Sequence, residues 1–77
     1  MAYINVGYGN LVNTDKIYSI VSPDSAPIKR LIQKSKETES YIDATCGKKT
    51  KSVIIMEDDI ILLSALNTET LASRLNQ

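Results

Sequence analysis

Seventy-seven residues, 43% of them hydrophobic and 23% charged, allow one small globular domain over 1–77 and argue against a disordered chain. One Cys excludes an internal disulfide, the absence of His leaves no obvious metal cluster, and without Trp or Phe the core must come from Ile, Leu, Val and Tyr. A core this small rarely supplies more than about 3–5 kcal/mol, so self-association is expected on size alone.

In chain order, Tyr3–Val6 predicts a first strand that ends at the turn Gly7-Tyr8-Gly9-Asn10, and Leu11-Val12 either pairs back or continues irregularly. Ile17–Val21 predicts a second strand, stopped by Ser22-Pro23. Ser25 suits an N-cap, and Pro27 then falls in the first helical turn, where a missing N–H costs nothing. Ile28, Leu31, Ile32 and Ser35 share one face of that helix, with Lys29, Arg30, Gln33, Lys34 and Lys36 on the other, and the pattern fades near Glu37-Thr38. Tyr41–Thr45 is a short strand ending at Gly47.

Ser52–Met56 and Ile60–Ala65 read as two strands joined by an acidic turn, Glu57-Asp58-Asp59. Both are apolar on both faces, whereas a sheet covered on one side alternates apolar with polar. The chain offers little to cover the second face, so a partner subunit is expected there, over Ile54 or Leu62. Asn67 caps a final helix with Leu71, Ala72 and Leu75 inward. The resulting fold class is α+β: a small antiparallel-rich sheet of four or five strands with two helices.

The neutral total hides a gradient. Lys16 to Lys51 holds eight basic residues against four acidic, net +4, while Ser52 onward is net −3. Lys48, Lys49 and Lys51 stand within four positions, in a turn running directly into an apolar strand, and Lys29-Arg30 with Lys34 and Lys36 form a second basic group on the helix. Sorting of this kind points to an anionic partner, nucleic acid first, contacted mainly through phosphates.

Other motifs carry less. Gly7-x-Gly9 lacks the third Gly and the helix of a dinucleotide loop, and Gly47-Lys48-Lys49-Thr50 precedes a strand rather than a helix, so both read as tight turns. Cys46 reads as a small buried hydrophobe at a strand end rather than a redox sensor. The acidic turn lacks the spaced ligands of a calcium loop. No residues are placed for catalysis or for a concave polar pocket, and no cofactor is expected. The apolar runs are far below the roughly 20 residues that span a bilayer. The N-terminus also lacks the basic and apolar regions of a signal peptide, which leads to a cytoplasmic expectation.

Asn5-Val-Gly-Tyr-Gly-Asn10, Ser22-Pro-Asp-Ser-Ala-Pro-Ile-Lys-Arg30, Asp43-Ala-Thr-x-Gly-Lys-Lys-Thr-Lys51 and Leu63-Ser-Ala65 stand in the order seen in the RemA-like family, and the chain resembles that family over nearly its whole length. These are bacterial regulators of extracellular-matrix and biofilm genes. The resemblance implies a DNA-binding transcriptional regulator, assembled as a ring-shaped homo-oligomer with a basic rim on duplex DNA. The family's segment after Asp-Ala-Thr is usually Gly-Arg-Arg-Thr-Arg, and the resemblance maps its DNA-binding arginines onto Lys48, Lys49 and Lys51. Lys29 and Arg30 are second-rank candidates that either extend the basic surface or equally cap, pair or serve the subunit interface. Lysine keeps the phosphate charge but lacks the planar fork that grips guanine or phosphate bidentately. An RNA-binding or assembly scaffold protein is the runner-up reading.

Overall fold

The computed structural model describes residues 2–76. Strands β1 (Tyr3–Asn5) and β2 (Leu11–Asn13) form an antiparallel hairpin of their own, with Ile4 opposite Val12. The remaining strands are β3 (Ile17–Val21), β4 (Tyr41–Asp43), β5 (Ser52–Met56) and β6 (Ile61–Ser64), and they make a four-stranded sheet in the order β3-β5-β6-β4. The β3–β5 and β5–β6 pairs are antiparallel, and β4 runs parallel to β6. Helices α1 (Ala26–Glu37) and α2 (Thr68–Leu75) complete the α+β fold. The first strand therefore lies outside the main sheet, which has four strands.

The helix starts follow their sequence signals. Ser25 Oγ accepts from the Ile28 N–H at 3.4 Å, with Pro27 in the first turn of α1, and Asn67 Oδ1 accepts from the Thr70 N–H at 2.8 Å at the start of α2. The inner face of α2 is narrower than its spacing suggests: Leu71 is buried, while Ala72 and Leu75 are exposed.

Both faces of β5 and β6 are covered within the chain. Val53, Ile61 and Leu63 pack under α1 against Ile28, Leu31 and Ile32. Ile54 and Leu62, on the opposite face, pack with Ile4, Val6 and Val12 of the first hairpin and with Leu71 of α2. The expectation that Ile54 or Leu62 faces a partner subunit is thus overturned, because the small hairpin and the last helix fold over that face. A bulge helps them do so. Ile17 pairs with Met56 but Ser19 pairs with Ile55, so Tyr18 is the extra residue, and Ile17 and Ile20 both reach the same core.

Two buried serines close one end of the sheet. Ser52 and Ser64 face each other across β5 and β6 on the side of the first hairpin, fully buried. Ser64 Oγ donates to the Val6 carbonyl at 2.7 Å and Ser52 Oγ donates to the Leu66 carbonyl at 2.7 Å. Each hydroxyl satisfies a backbone acceptor that would otherwise sit dry, at a cost of about 1–3 kcal/mol if lost. Apart from Leu75 on α2, the large apolar side chains left outside lie on the hairpin and on the two sheet edges, with Tyr18 70% exposed on β3 and Ile42 49% exposed on β4.

An Ile54→Ala substitution removes packing from the interior of one chain, so it should cost about 2–5 kcal/mol. Urea denaturation should show the midpoint falling with the m-value unchanged. Ile54→Asp should leave no cooperative thermal transition, rather than a folded, dissociated subunit.

Candidate functional site

Three chain passages meet at the Ser52–Ser64 end of the sheet. Lys51 N–H donates to the Ser64 carbonyl at 2.8 Å, Val6 is held by Ser64, and a Cβ on Gly7 would meet Leu66 at 3.5 Å. The connections that leave this end are the loop from Ala44 to Lys51 and the tip of the first hairpin. The segment from β3 into α1 leaves here too, since Val21 pairs with Val53.

The lysine loop is braced from within. Asp43 Oδ1 accepts from both the Thr45 N–H at 2.9 Å and the Thr45 hydroxyl at 2.6 Å, and Thr45 is buried. The Ala44 N–H donates to the Leu63 carbonyl, and the Lys48 N–H donates to the Thr45 carbonyl at 3.0 Å. That last bond closes a turn whose central residues, Cys46 and Gly47, have φ of 54° and 79°, the positive pair of a type I′ turn. Gly47 suits its position. Cys46 occupies a conformation that disfavours a side chain, and its thiol is exposed. The buried placement expected for Cys46 is therefore wrong: the turn lifts it off the sheet.

With both ends pinned to β6, the loop presents Lys48, Lys49 and Lys51 to solvent, all exposed. Lys29 and Arg30 are also exposed, on the opening turns of α1, and so share this end of the sheet with the loop. Lys34 and Lys36 lie on the far half of the helix. Lys36 is close enough to Asp43 to help hold its carboxyl below the ordinary aspartate range, after the larger effects of the Thr45 hydroxyl and Thr45 amide. Among the described residues the ion pair is Lys16 with Glu57 at 2.8 Å, at the opposite end of β5. Glu57 pushes the Lys16 ammonium up through its hydrogen bond and its charge. The lysines of the loop and the Lys29–Arg30 pair have no such partner among the described residues.

The sequence reading missed Tyr8. The first hairpin turns through Gly7, Tyr8 and Gly9, all at positive φ, with the Asn10 N–H donating to the Gly7 carbonyl at 3.0 Å. An aromatic ring on an exposed turn at the basic end is suited to stack on a base or a sugar. The Gly-Tyr-Gly spacing was the available signal, since glycines on both sides leave the ring no neighbour to pack on.

No helix among the described residues is long and apolar enough to cross a membrane, and no group of three or more His, Cys, Asp or Glu among them is placed to hold a metal ion. The molecule is thus a small α+β protein that presents a rigid basic loop at one end of its sheet. Its sequence matches the family model described as RemA-like, extracellular matrix regulatory protein A-like, over residues 3–75, and the chain belongs to that family. A presumed regulatory protein of Lachnoclostridium phytofermentans is 53% identical over 74 residues, covering 96% of this chain and 81% of its own. One of Geobacillus kaustophilus is 53% identical over 75 residues, covering 97% and 86%. One of Bacillus cytotoxicus is 50% identical over 76 residues, covering 99% and 87%. These relatives carry the names of regulators, not of enzymes.

The brace gives the loop a pH dependence. Because the folded state lowers the Asp43 carboxyl, its contribution is complete above the ordinary value of 3.8 and is lost as pH falls through the lower, folded value. Thr45→Val removes the hydroxyl donor, so the Asp43 titration, followed by NMR, should move up toward the ordinary range. Amide exchange at Lys48 should quicken in the same variant.

Proposed function

We propose that this protein is a DNA-binding transcriptional regulator of extracellular-matrix or biofilm genes, working in the cytoplasm as a ring-shaped homo-oligomer. The observation that carries the reading is the braced loop holding Lys48, Lys49 and Lys51 exposed and, among the described residues, without carboxylate partners. A loop pinned at both ends loses little conformational entropy when it meets a phosphate backbone, and three lysines supply charge rather than base recognition. Lys29 and Arg30 extend the same basic end, and Tyr8 adds a stacking surface there.

One subunit offers few phosphate contacts, and salt competes for each of them. Repetition answers this. The sheet edges β3 and β4 differ, and both leave apolar side chains in solvent: Tyr18 on one, Tyr41 and Ile42 on the other. Pairing of two unlike edges between copies is heterologous, and such contacts close into rings when the rotation allows. A ring would repeat the lysine loop around one rim. Linked weak sites of this kind gain about 10²–10⁴ in avidity without new contacts. Duplex DNA following a curved rim must bend, at about 1–6 kcal/mol for a 20–30 bp site, which favours flexible sequences even where no base is touched.

The test is Lys48→Ala with Lys49→Ala. The double variant should keep its thermal melting and its particle mass, lose DNA affinity, and show a salt slope lower by about two units. Unchanged DNA affinity in the folded double variant would remove the loop from the interface. Stronger competition by single-stranded RNA than by duplex DNA would favour an RNA scaffold instead. In the wild type, affinity should rise steeply as the duplex lengthens beyond one helical turn. Equal binding per particle by 10-bp and 60-bp duplexes would exclude multivalent engagement.

A further inference from the structure

The layer between α1 and the sheet is filled unevenly. The sheet residues beneath the helix, Val53, Ile61 and Leu63, are buried, but Leu31 in the middle of the helix and Ile55 on the sheet are only half-buried. The cause lies in the sequence. The inward series Ile28, Leu31, Ile32 ends at Ser35, a small side chain where a large apolar one would close the gap. Ser35 spends its hydroxyl proton on the Ile32 carbonyl at 2.7 Å. What remains is a cleft of about 380 Å³ floored by Leu31, Ile55 and Ile61. That volume lies within the range of small-molecule sites, roughly 300–1,000 Å³.

Two opposite charges border this cleft from different elements. Lys34 reaches it from α1, and Asp59 from the turn between β5 and β6. Neither makes an ion pair in the described residues, where the only such pair is Lys16 with Glu57. Asp59 follows Asp58, both at positive φ (59° and 65°), so the turn holds this carboxylate in a backbone conformation few residues accept. An apolar floor with a lone cation on one border and a lone anion on another is complementary to a zwitterion carrying an aliphatic side chain.

We propose that this cleft binds a free aliphatic amino acid. The side chain would lie on Leu31, Ile55 and Ile61, the carboxylate on the Lys34 ammonium, and the ammonium on the Asp59 carboxylate. The site is at the far end of the sheet from the lysine loop and does not depend on the DNA-binding reading.

Isothermal titration of the full chain with L-leucine tests it, with glycine, 4-methylpentanoate and 3-methylbutylamine as comparators. Leucine should bind saturably and raise the melting temperature with concentration. Each comparator lacks one of the three recognised parts and should bind at least about tenfold more weakly, a difference of 1.4 kcal/mol. Lys34→Met and Asp59→Asn, both exposed and away from the core, should each weaken leucine by a similar factor. Ser35→Leu should fill the cleft and abolish binding; these two surface variants decide the matter if that one fails to fold. Lys48→Ala with Lys49→Ala should bind leucine as the wild type does, whatever happens to DNA. No heat and no thermal shift at millimolar leucine would overturn the proposal. So would equal binding of leucine by the wild type, Lys34→Met and Asp59→Asn, or equal binding of leucine and 4-methylpentanoate.

Discussion

The whole molecule is arranged around two strands that cannot show either face to water. Val53 and Ile54 in β5, and Ile61, Leu62 and Leu63 in β6, are all buried, so the hairpin they form needs a covering layer on each side. The chain supplies α1 for one layer and divides the other between its two ends, the β1–β2 hairpin and α2. That division joins residues near positions 4 and 71 through a single core, which no local contact could do. Burying both faces of a short sheet extracts more apolar contact per residue than a one-sided sheet would.

The same constraint locates the basic end. At the last paired position of the hairpin, still buried, Ser52 and Ser64 replace apolar residues, and their hydroxyls tie down the Leu66 and Val6 carbonyls. Backbone anchored there has no freedom to follow the lysines outward, so the loop leaves a fixed point. Asp43 and Thr45 then set its path with short hydrogen bonds that do not involve the lysines. Shape is thereby set by backbone bonds and by Asp43 and Thr45, and charge by the lysine side chains, which make no ion pair among the described residues.

Much of this was legible in the chain. Ser25, Pro27 and Asn67 marked both helix starts correctly because capping is local, fixed by a side chain and an amide three residues away. The double-sided character of β5 and β6 was legible as well, from residues such as Val53 and Ile54. What covers Ile54 was not, because Ile4 and Leu71 are remote in sequence and their hairpin and helix are too short to announce a layer. Tyr41–Thr45 was read as a strand, of which Tyr41–Asp43 forms one, yet nothing in so few residues says that it runs parallel to β6. The exposure of Cys46 was missed because a non-glycine at positive φ is a property of the turn, not of the residue. The lysine cluster was plain as composition. That it is pinned to β6, and that Tyr8 shares its end of the sheet, are facts of topology.

A neutral chain can still act as a cation if its charges are far enough apart. The lysine loop enters β5 at Ser52, and the acidic turn Glu57–Asp59 leaves it after Met56. Five strand residues at about 3.3 Å each put roughly 16 Å between the two ends. The screening length at physiological salt is about 8 Å, so a phosphate at the lysines feels little of the carboxylates. Nor are the acids idle at that distance: Glu57 is engaged by Lys16, which lowers the negative charge of the turn. The net charge of zero therefore describes the molecule from far away, where it governs solubility. Within a few ångströms of the loop the molecule is positive. An approaching polyanion is attracted to that end and repelled by the other, so the charge separation selects an orientation before any contact forms.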